Sequence, residues 1–239
     1  MGIAPGRLPA RLIALEGESG VGKSRLADRW ASREPGVLVL PEAFDRFRPR
    51  PSLAVPDRRS LRRVELRLFR EELRRYRDGV RARDRGCLVL ADTGFLGPLT
   101  YSAGLARIDP RRDIVAELLA EYRYAADRGV LGIPDLTIVL EAPRATIRRR
   151  LGGDPHGHPP RFRGRHARIG RMERRLWTGP LAGAGGSRVV RMSAAGPPAA
   201  VAARLDALVR TTRLPPALAP AVAARRLAAT LDRIEFGKR

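Results

Sequence analysis

The eight residues Gly17-Glu18-Ser19-Gly20-Val21-Gly22-Lys23-Ser24 satisfy the spacing G-x-x-x-x-G-K-[ST] in full. Glycines at these positions let a backbone curl until successive N–H groups point at phosphate oxygens, and the positive end of a following helix adds to that field. The spacing places Lys23 at the β- and γ-phosphates of a nucleoside triphosphate and the Ser24 hydroxyl on Mg2+. Only Lys23 and Lys238 are lysines among 47 basic residues, so a lysine at this point is hard to ascribe to composition. Asp92 is a second chemical group. It follows the apolar run Cys87-Leu88-Val89-Leu90-Ala91 and either turns the chain before Gly94 or orients Mg2+ through a water.

These groups need a scaffold, and the motif itself demands a strand before it and a helix after it. Leu12-Ile13-Ala14-Leu15 has the brief, unbroken apolar character of a buried parallel strand, and a helix is expected from Lys23 to about Ser32. Val37 to Leu40, Cys87 to Ala91, Leu136 to Leu140 and Val189 to Met192 read as four more strands of the same kind. The Pro/Arg-rich stretch from Phe44 to Asp57 is expected to be a loop. Leu61, Val64, Leu68, Leu73 and Tyr76 recur at helical spacing, predicting a long amphipathic helix from Ser60 to about Arg85 with mostly solvated charges. Further helices are expected over Asp113 to Asp127, from Pro143 into Arg148-Arg149-Arg150, over Arg161 to Trp177, and over Ala199 to Val209. Gly152 to Gly164 reads as a mobile segment. Strands alternating with helices, with apolar runs inside the strands, predict an α/β fold of three layers on a parallel sheet.

Leu15-Glu16-Gly17 running into the phosphate loop, Asp92, Pro134-Asp135-Leu136-Thr137, the later Arg-rich segment and Arg191-Met192-Ser193-Ala194-Ala195-Gly196-Pro197 together resemble the thymidylate kinase and deoxynucleoside kinase superfamily of P-loop kinases. The resemblance spans Leu12 to about Val209. It implies a five-stranded parallel sheet, Mg-ATP as phosphoryl donor, an Arg-rich lid and often a homodimer. The lid would fall at about 148–170, with Arg148, Arg161, Arg163 and Arg165 as its candidate cations. Residues 1–213 would then form the kinase domain, and 214–239 a Pro-spaced linker and helical tail.

Two departures bear on the acceptor. Thymidylate kinases follow the strand-three Asp with an Arg that grips the acceptor's phosphate, whereas Asp92 is followed by Thr93-Gly94. They also carry an Arg before a Glu-Pro-Gly run after strand two, where this chain has Leu40-Pro41-Glu42-Ala43. Glu42 resembles the glutamate that nucleoside kinases use to take the proton of the acceptor hydroxyl; the other reading is a solvated residue at a strand end. Phe44, Phe47, Phe95 and Tyr101 form either an aromatic wall for a ring-shaped acceptor or part of the core. His156, His158 and His166 lie in or beside the Pro/Gly segment and read as exposed.

Composition sets the remaining bounds. The 239 residues carry a formal charge of +22, which draws in any polyanion, so non-specific retention of nucleic acid is expected whatever the function. Aromatic residues are scarce at 5%, and no nucleic-acid module signature is present, which weighs against a dedicated site. Cys87 is the single cysteine, which excludes an internal disulfide and a cysteine-built zinc site. No apolar run reaches the ~18 residues of a membrane span and the first residues lack a secretory signal, so the expected address is the cytoplasm. The expectation is an ATP-dependent small-molecule kinase with a nucleoside-like or other hydroxyl acceptor. A monophosphate kinase holding its acceptor through Arg46, Arg48 or Arg50 is the nearest alternative, and a nucleic-acid-binding P-loop ATPase the alternative of another class.

Overall fold

The computed structural model describes residues 9–34, 36–47, 57–152, 160–214 and 218–234, with the side chains of 152, 160–167, 184 and 220 outside the description. Strands β1 (Arg11–Glu16), β2 (Val37–Leu40), β3 (Leu88–Asp92), β4 (Leu136–Glu141) and β5 (Arg188–Ser193) form one sheet in the order β2-β3-β1-β4-β5. Every pairing is parallel. The apolar runs are explained by burial on both faces: β1 gives Leu12 and Ala14 to one core and Ile13 and Leu15 to the other, all fully buried.

One face is covered by α1 (Lys23–Ala31) and α8 (Pro198–Thr211), which contribute Leu26, Trp30, Val201, Leu205 and Val209. The other is covered by α3 (Arg58–Asp84), α4 (Gly97–Ile108), α5 (Val115–Asp127) and α7 (Pro160–Thr178), through Leu61, Phe69, Leu99, Leu118 and Trp177 among others. Helix α9 (Pro220–Arg233) adds Ala224, Leu227 and Leu231 to this second core, and its Asp232 pairs with Arg123 of α5 at 2.6 Å. The three-layer α/β architecture expected from the sequence is present. No helix among the described residues is long and apolar enough to cross a membrane.

Several local expectations need correction. Helix α4 has no counterpart in the sequence reading, because Gly97-Pro98 and Gly104 interrupt its apolar pattern. Pro98 sits in the first turn, where its missing N–H costs little, and a Cβ at Gly104 would lie 2.9 Å from Ile169, so the glycine permits close packing on α7. A short helix, α2 (Ala43–Arg46), begins the stretch expected to be a loop, and 48–56 lie outside the described residues. Helix α7 starts inside the segment expected to be mobile, of which 153–159 lie outside the description.

The most consequential difference concerns α3, whose charges are not all solvated. Glu65 and Glu72 are 4% exposed and Arg75 is 0% exposed. Length is the reason. At 1.5 Å per residue a helix of 27 residues extends about 40 Å, roughly twice the length of any strand here. Gly79 packs against Leu12, Leu40 and Val89 over the sheet, while Arg75 reaches the carboxyl ends of β2 and β3. The helix therefore overhangs that edge with its amino-terminal half, and Glu65 and Glu72, seven residues apart, share the inward face. At the opposite edge Asp135 accepts from the Leu12 amide at 2.7 Å and from Arg83 at 2.9 Å, giving the Pro134-Asp135 pair a role in tying β1 to β4 and α3.

Candidate active site

The phosphate loop leaves β1 at the sheet's centre and enters α1. Gly17, Gly20 and Gly22 have φ of 135°, 81° and 105°, values that favour glycine, and a Cβ at Gly17 would stand 2.6 Å from the Leu140 carbonyl. The Lys23 ammonium donates to the Gly17 carbonyl at 2.9 Å. Desolvation alone would lower its pKa, but Glu42, Asp92, Glu16 and Glu173 together raise it, so Lys23 is firmly cationic. Arg150 of α6 (Arg144–Gly152) donates to the Val21 carbonyl, and at 3.0 Å to the Ala194 carbonyl after β5. It binds the loop to the far side of the sheet. The neighbouring Arg148, singled out from the sequence, is exposed. Arg161, Arg163 and Arg165 lie on α7 and His166 with them, but their side chains are outside the description, as are His156 and His158 altogether.

The register of the sheet assembles the acidic groups. Leu15 stands opposite Asp92 and Leu40 opposite Ala91, so Glu16, Glu42 and Asp92 end three adjacent strands at one edge. Such edges, where the strand order reverses, are where ligands bind in open α/β sheets. Asp92 is 3% exposed and its Oδ1 has no hydrogen-bond partner among the described residues. Burial and the charge of Glu42 push it up to about 6, against the opposing pull of Lys23, Ser24 and Arg75.

Glu42 is held by its neighbour across the strand ends: Thr93 Oγ1 donates to Glu42 Oε1 at 2.5 Å. Thr93 has φ of 73°, a strained conformation for a β-branched residue. Arg75 holds the carbonyls on either side of that torsion. Its guanidinium donates to the carbonyls of Leu40 (3.1 Å), Pro41 (3.0 Å), Asp92 (3.0 Å) and Thr93 (2.6 Å), and to Glu72 at 2.9 Å. Tyr76 adds a hydroxyl to the Thr93 carbonyl at 3.1 Å. Arg75 thus fixes the ends of β2 and β3 relative to each other, and with its donors so engaged it is no replacement for the missing phosphate-gripping arginine.

Further carboxylates on α3 and α7 act on this edge. Glu173 of α7 accepts from Thr100 Oγ1 at 3.0 Å, and the charges of Lys23, Glu42 and Glu18 all act on it. Glu16 is raised to about 8 by burial and then by Glu173, and Glu65 to about 8 by the same two causes. Glu72 is raised to about 7 by burial, in spite of Arg75. Glu16, Glu65, Glu72, Glu173, Arg75 and Arg150 were not singled out from the sequence. The only local signal was the spacing of Glu65 and Glu72 on the stripe that also carries Leu61 and Tyr76.

The remaining candidates separate. Phe95 is 3% exposed and packs edge-on to Tyr76 at 5.3 Å between ring centres, so it belongs to the core. Phe47 is buried under Arg67, whose guanidinium lies 4.3 Å from the ring centre, and Tyr101 is half-buried against the core, so neither stands free as a wall. Arg46 pairs with Glu71 at 3.1 Å; Arg48 and Arg50 lie outside the described residues. Among the described residues no three His, Cys, Asp or Glu side chains converge as a metal cage. A nucleotide-borne Mg2+ needs fewer protein ligands, and the orphaned Asp92 Oδ1 beside Ser24 fits that requirement.

No family model matches the sequence, and no curated protein is similar to it at a significant level. Solved structures do match in fold. A deoxyadenosine kinase from M. mycoides with bound dATP superposes with a TM-score of 0.58 at 12% identity, over 84% of this chain and 100% of that one. The M. mycoides deoxyadenosine kinase with the products dCMP and dCDP gives 0.55 at 11%, over 84% and 99%. Thymidylate kinase from Candida albicans gives 0.57 at 14%, over 86% and 93%. A complete phosphate loop on a sheet of this order therefore sits in a chain that shares its fold with these deoxyadenosine and thymidylate kinase structures.

Proposed function

We propose that this protein is a Mg-ATP-dependent kinase that phosphorylates a hydroxyl of a nucleoside-like or other small-molecule acceptor. The observation that carries the reading is the convergence of the Gly17 to Ser24 loop with Glu42 and Asp92 at one sheet edge, with Thr93 where an acceptor-phosphate clamp would stand. Bound Mg-ATP supplies the phosphoryl group and the metal's charge. The loop amides and Lys23 hold the donor's phosphates, for which Lys23 gives up the Gly17 carbonyl. Ser24 and Asp92 would hold the metal, whose charge would offset that of the phosphates.

Glu42, fixed by Thr93, takes the acceptor's proton. The acceptor oxygen bonds to the γ-phosphorus as the bond to the β,γ-bridging oxygen breaks, and ADP leaves. Arg148, Arg161, Arg163 and Arg165 belong to the lid at about 148–170 that supplies cations to the charge in transfer. An open cleft of about 490 Å³, lined by Glu141, Ala142, Pro143, Arg174, Arg191, Met192 and Ser193, lies on the β4 and β5 side and suits the donor's nucleoside end.

The deciding assay offers a nucleoside and its own monophosphate with Mg-ATP to wild type and Lys23→Ala. Turnover of the nucleoside that Lys23→Ala abolishes without loss of fold supports the reading. Preference for the monophosphate replaces it with a nucleotide kinase, and ATP hydrolysis that requires DNA or RNA at physiological salt replaces it with a nucleic-acid-dependent ATPase.

A further inference from the structure

The chain is strongly cationic, yet the crevice next to its phosphate loop is acidic. Glu16, Glu42 and Asp92 come from the strand ends, Glu65 and Glu72 from α3, and Glu173 from α7. Among the described residues, Lys23 and Arg75 are the cations with the largest charge effects on these carboxylates. Lys23 is required at the donor's phosphates, and Arg75 is engaged by Glu72 and backbone carbonyls. Arg174, at the crevice rim, pairs with Glu18 at 3.6 Å.

Two carboxylates are left over. Glu65 is 4% exposed, its Oε2 has no hydrogen-bond partner among the described residues, and its charged neighbour of consequence there is Glu173. Glu173 is half-buried; its charge acts on Glu65 and Glu16, those of Lys23 and Glu42 act on it, and Thr100 Oγ1 donates to it at 3.0 Å. Glu16 Oε1 is likewise buried and without a hydrogen-bond partner among the described residues. A buried carboxylate without a donor, as at Glu65, is costly, and the charge of a second carboxylate acting on it makes it costlier, so such an arrangement persists where something else is served. A cation seated between them satisfies both at once. The positive surface does not prevent its approach, because exposed charges are screened beyond ~8 Å at physiological ionic strength while buried contacts are not.

We propose that the acceptor carries a protonated amine in addition to its reacting hydroxyl, and that Glu65 and Glu173 bind that amine. The inference rests on the kinase reading for the hydroxyl. Glu65 and Glu173 hold the ammonium under α3 and α7 while Glu42, at the strand ends, faces the hydroxyl. An acceptor bearing a phosphate is disfavoured by the same field.

The test uses amino sugars, a 2-deoxystreptamine aminoglycoside and an aminonucleoside, each beside its N-acetylated form, which keeps every hydroxyl and loses the charge. Binding is measured by titration calorimetry on the full chain with Mg2+ and a non-hydrolysable ATP analogue. At least one free amine is expected to bind at least tenfold more tightly than its N-acetyl partner, and Glu65→Gln and Glu173→Gln are each expected to lose tenfold or more for it. Equal or tighter binding of the acetylated forms, no binding of any amine, or unchanged affinity in both folded variants overturns the proposal. Should either variant fail to fold, the amine against N-acetyl comparison on the wild type decides alone. Phosphorylation of neutral nucleosides without amine binding leaves the kinase reading standing and removes this inference. Glutamate-dependent amine binding without phosphoryl transfer to any acceptor does the reverse.

Discussion

Glu65→Gln should make the unliganded protein more stable at alkaline pH. In the folded chain the Glu65 carboxyl is raised from 4.5 to about 8, first by burial and then by Glu173. The folded state therefore holds this proton more tightly than the unfolded chain does. The resulting stability is fully present below about pH 4.5 and is lost as pH climbs through about 8. At 1.36 kcal/mol per pH unit the whole interval sets a ceiling of about 5 kcal/mol, and water entry or side-chain relaxation on ionisation reduces it to about 2 to 3 kcal/mol. Glutamine keeps the volume and has no charge to lose. The assay is thermal unfolding of wild type and variant at about pH 5.5 and about pH 8.5, without ligand. For a chain of 239 residues each kcal/mol moves Tm by roughly 2 to 4 °C, so the variant should gain about 5 to 10 °C relative to wild type between the two pH values. Any constant cost of burying an amide cancels in that difference. A Tm difference that does not change with pH would refute the assignment of Glu65 as a carboxyl buried without compensation.

Arg75→Met should destabilise the fold by roughly 3 to 5 kcal/mol, because it strands Glu72 and the carbonyls at the ends of β2 and β3, and should lower kcat with little change in donor KM. Arg75→Lys, which keeps the charge but loses the planar fork, should recover part of the stability and less of kcat; unfolding curves beside steady-state kinetics separate the two effects. Glu42→Gln should depress kcat by roughly 10²-fold or more while the acceptor KM moves far less, and an unchanged kcat would remove Glu42 from the chemistry. Binding of the wild type to DNA or RNA should show no sequence preference and fall steeply between about 50 and 200 mM salt, as measured by fluorescence anisotropy.

The sequence makes the scaffold and the phosphate loop of the candidate site legible for the same physical reason. Strands buried on both faces must be apolar runs, and a backbone that wraps phosphates must have glycines at set intervals, so β1 to β5 and Gly17 to Ser24 announce themselves locally. Asp92 and Glu42 were also within reach, because a carboxylate directly after a buried strand lies at the crevice edge. Helix α4 was not, since two glycines and a proline that serve packing and the first turn break the period that would reveal it. Glu173 and Arg150 were hidden by composition. In a chain where arginine is so frequent, one arginine that reaches the phosphate loop looks like any other, and a lone acid within a basic helix reads as a surface counter-charge.

Arg75 and Glu65 show why the acceptor half resists the same reading. Charged residues on an amphipathic helix are assigned to solvent because a sheet normally has nothing polar to offer them, and over the strands themselves α3 obeys that rule with Tyr76 and Gly79. The rule fails where the helix outruns the sheet. Beyond the carboxyl edge its inward face meets exposed strand-end carbonyls and a crevice, so an arginine there finds several acceptors and a glutamate is placed where a ligand would be. Helix length against strand length is readable in advance: a periodic segment of some 27 residues beside strands of four to six must overhang one edge by several turns. In a parallel sheet the carboxyl edge is the ligand edge, so charges on the stripe of the overhanging turns face substrate and not solvent. Applied to α3, that geometric step moves Glu65, Glu72 and Arg75 from surface to site. On the proposed reading, acceptor recognition is then a property of α3, while donor recognition belongs to the Gly17 to Ser24 loop.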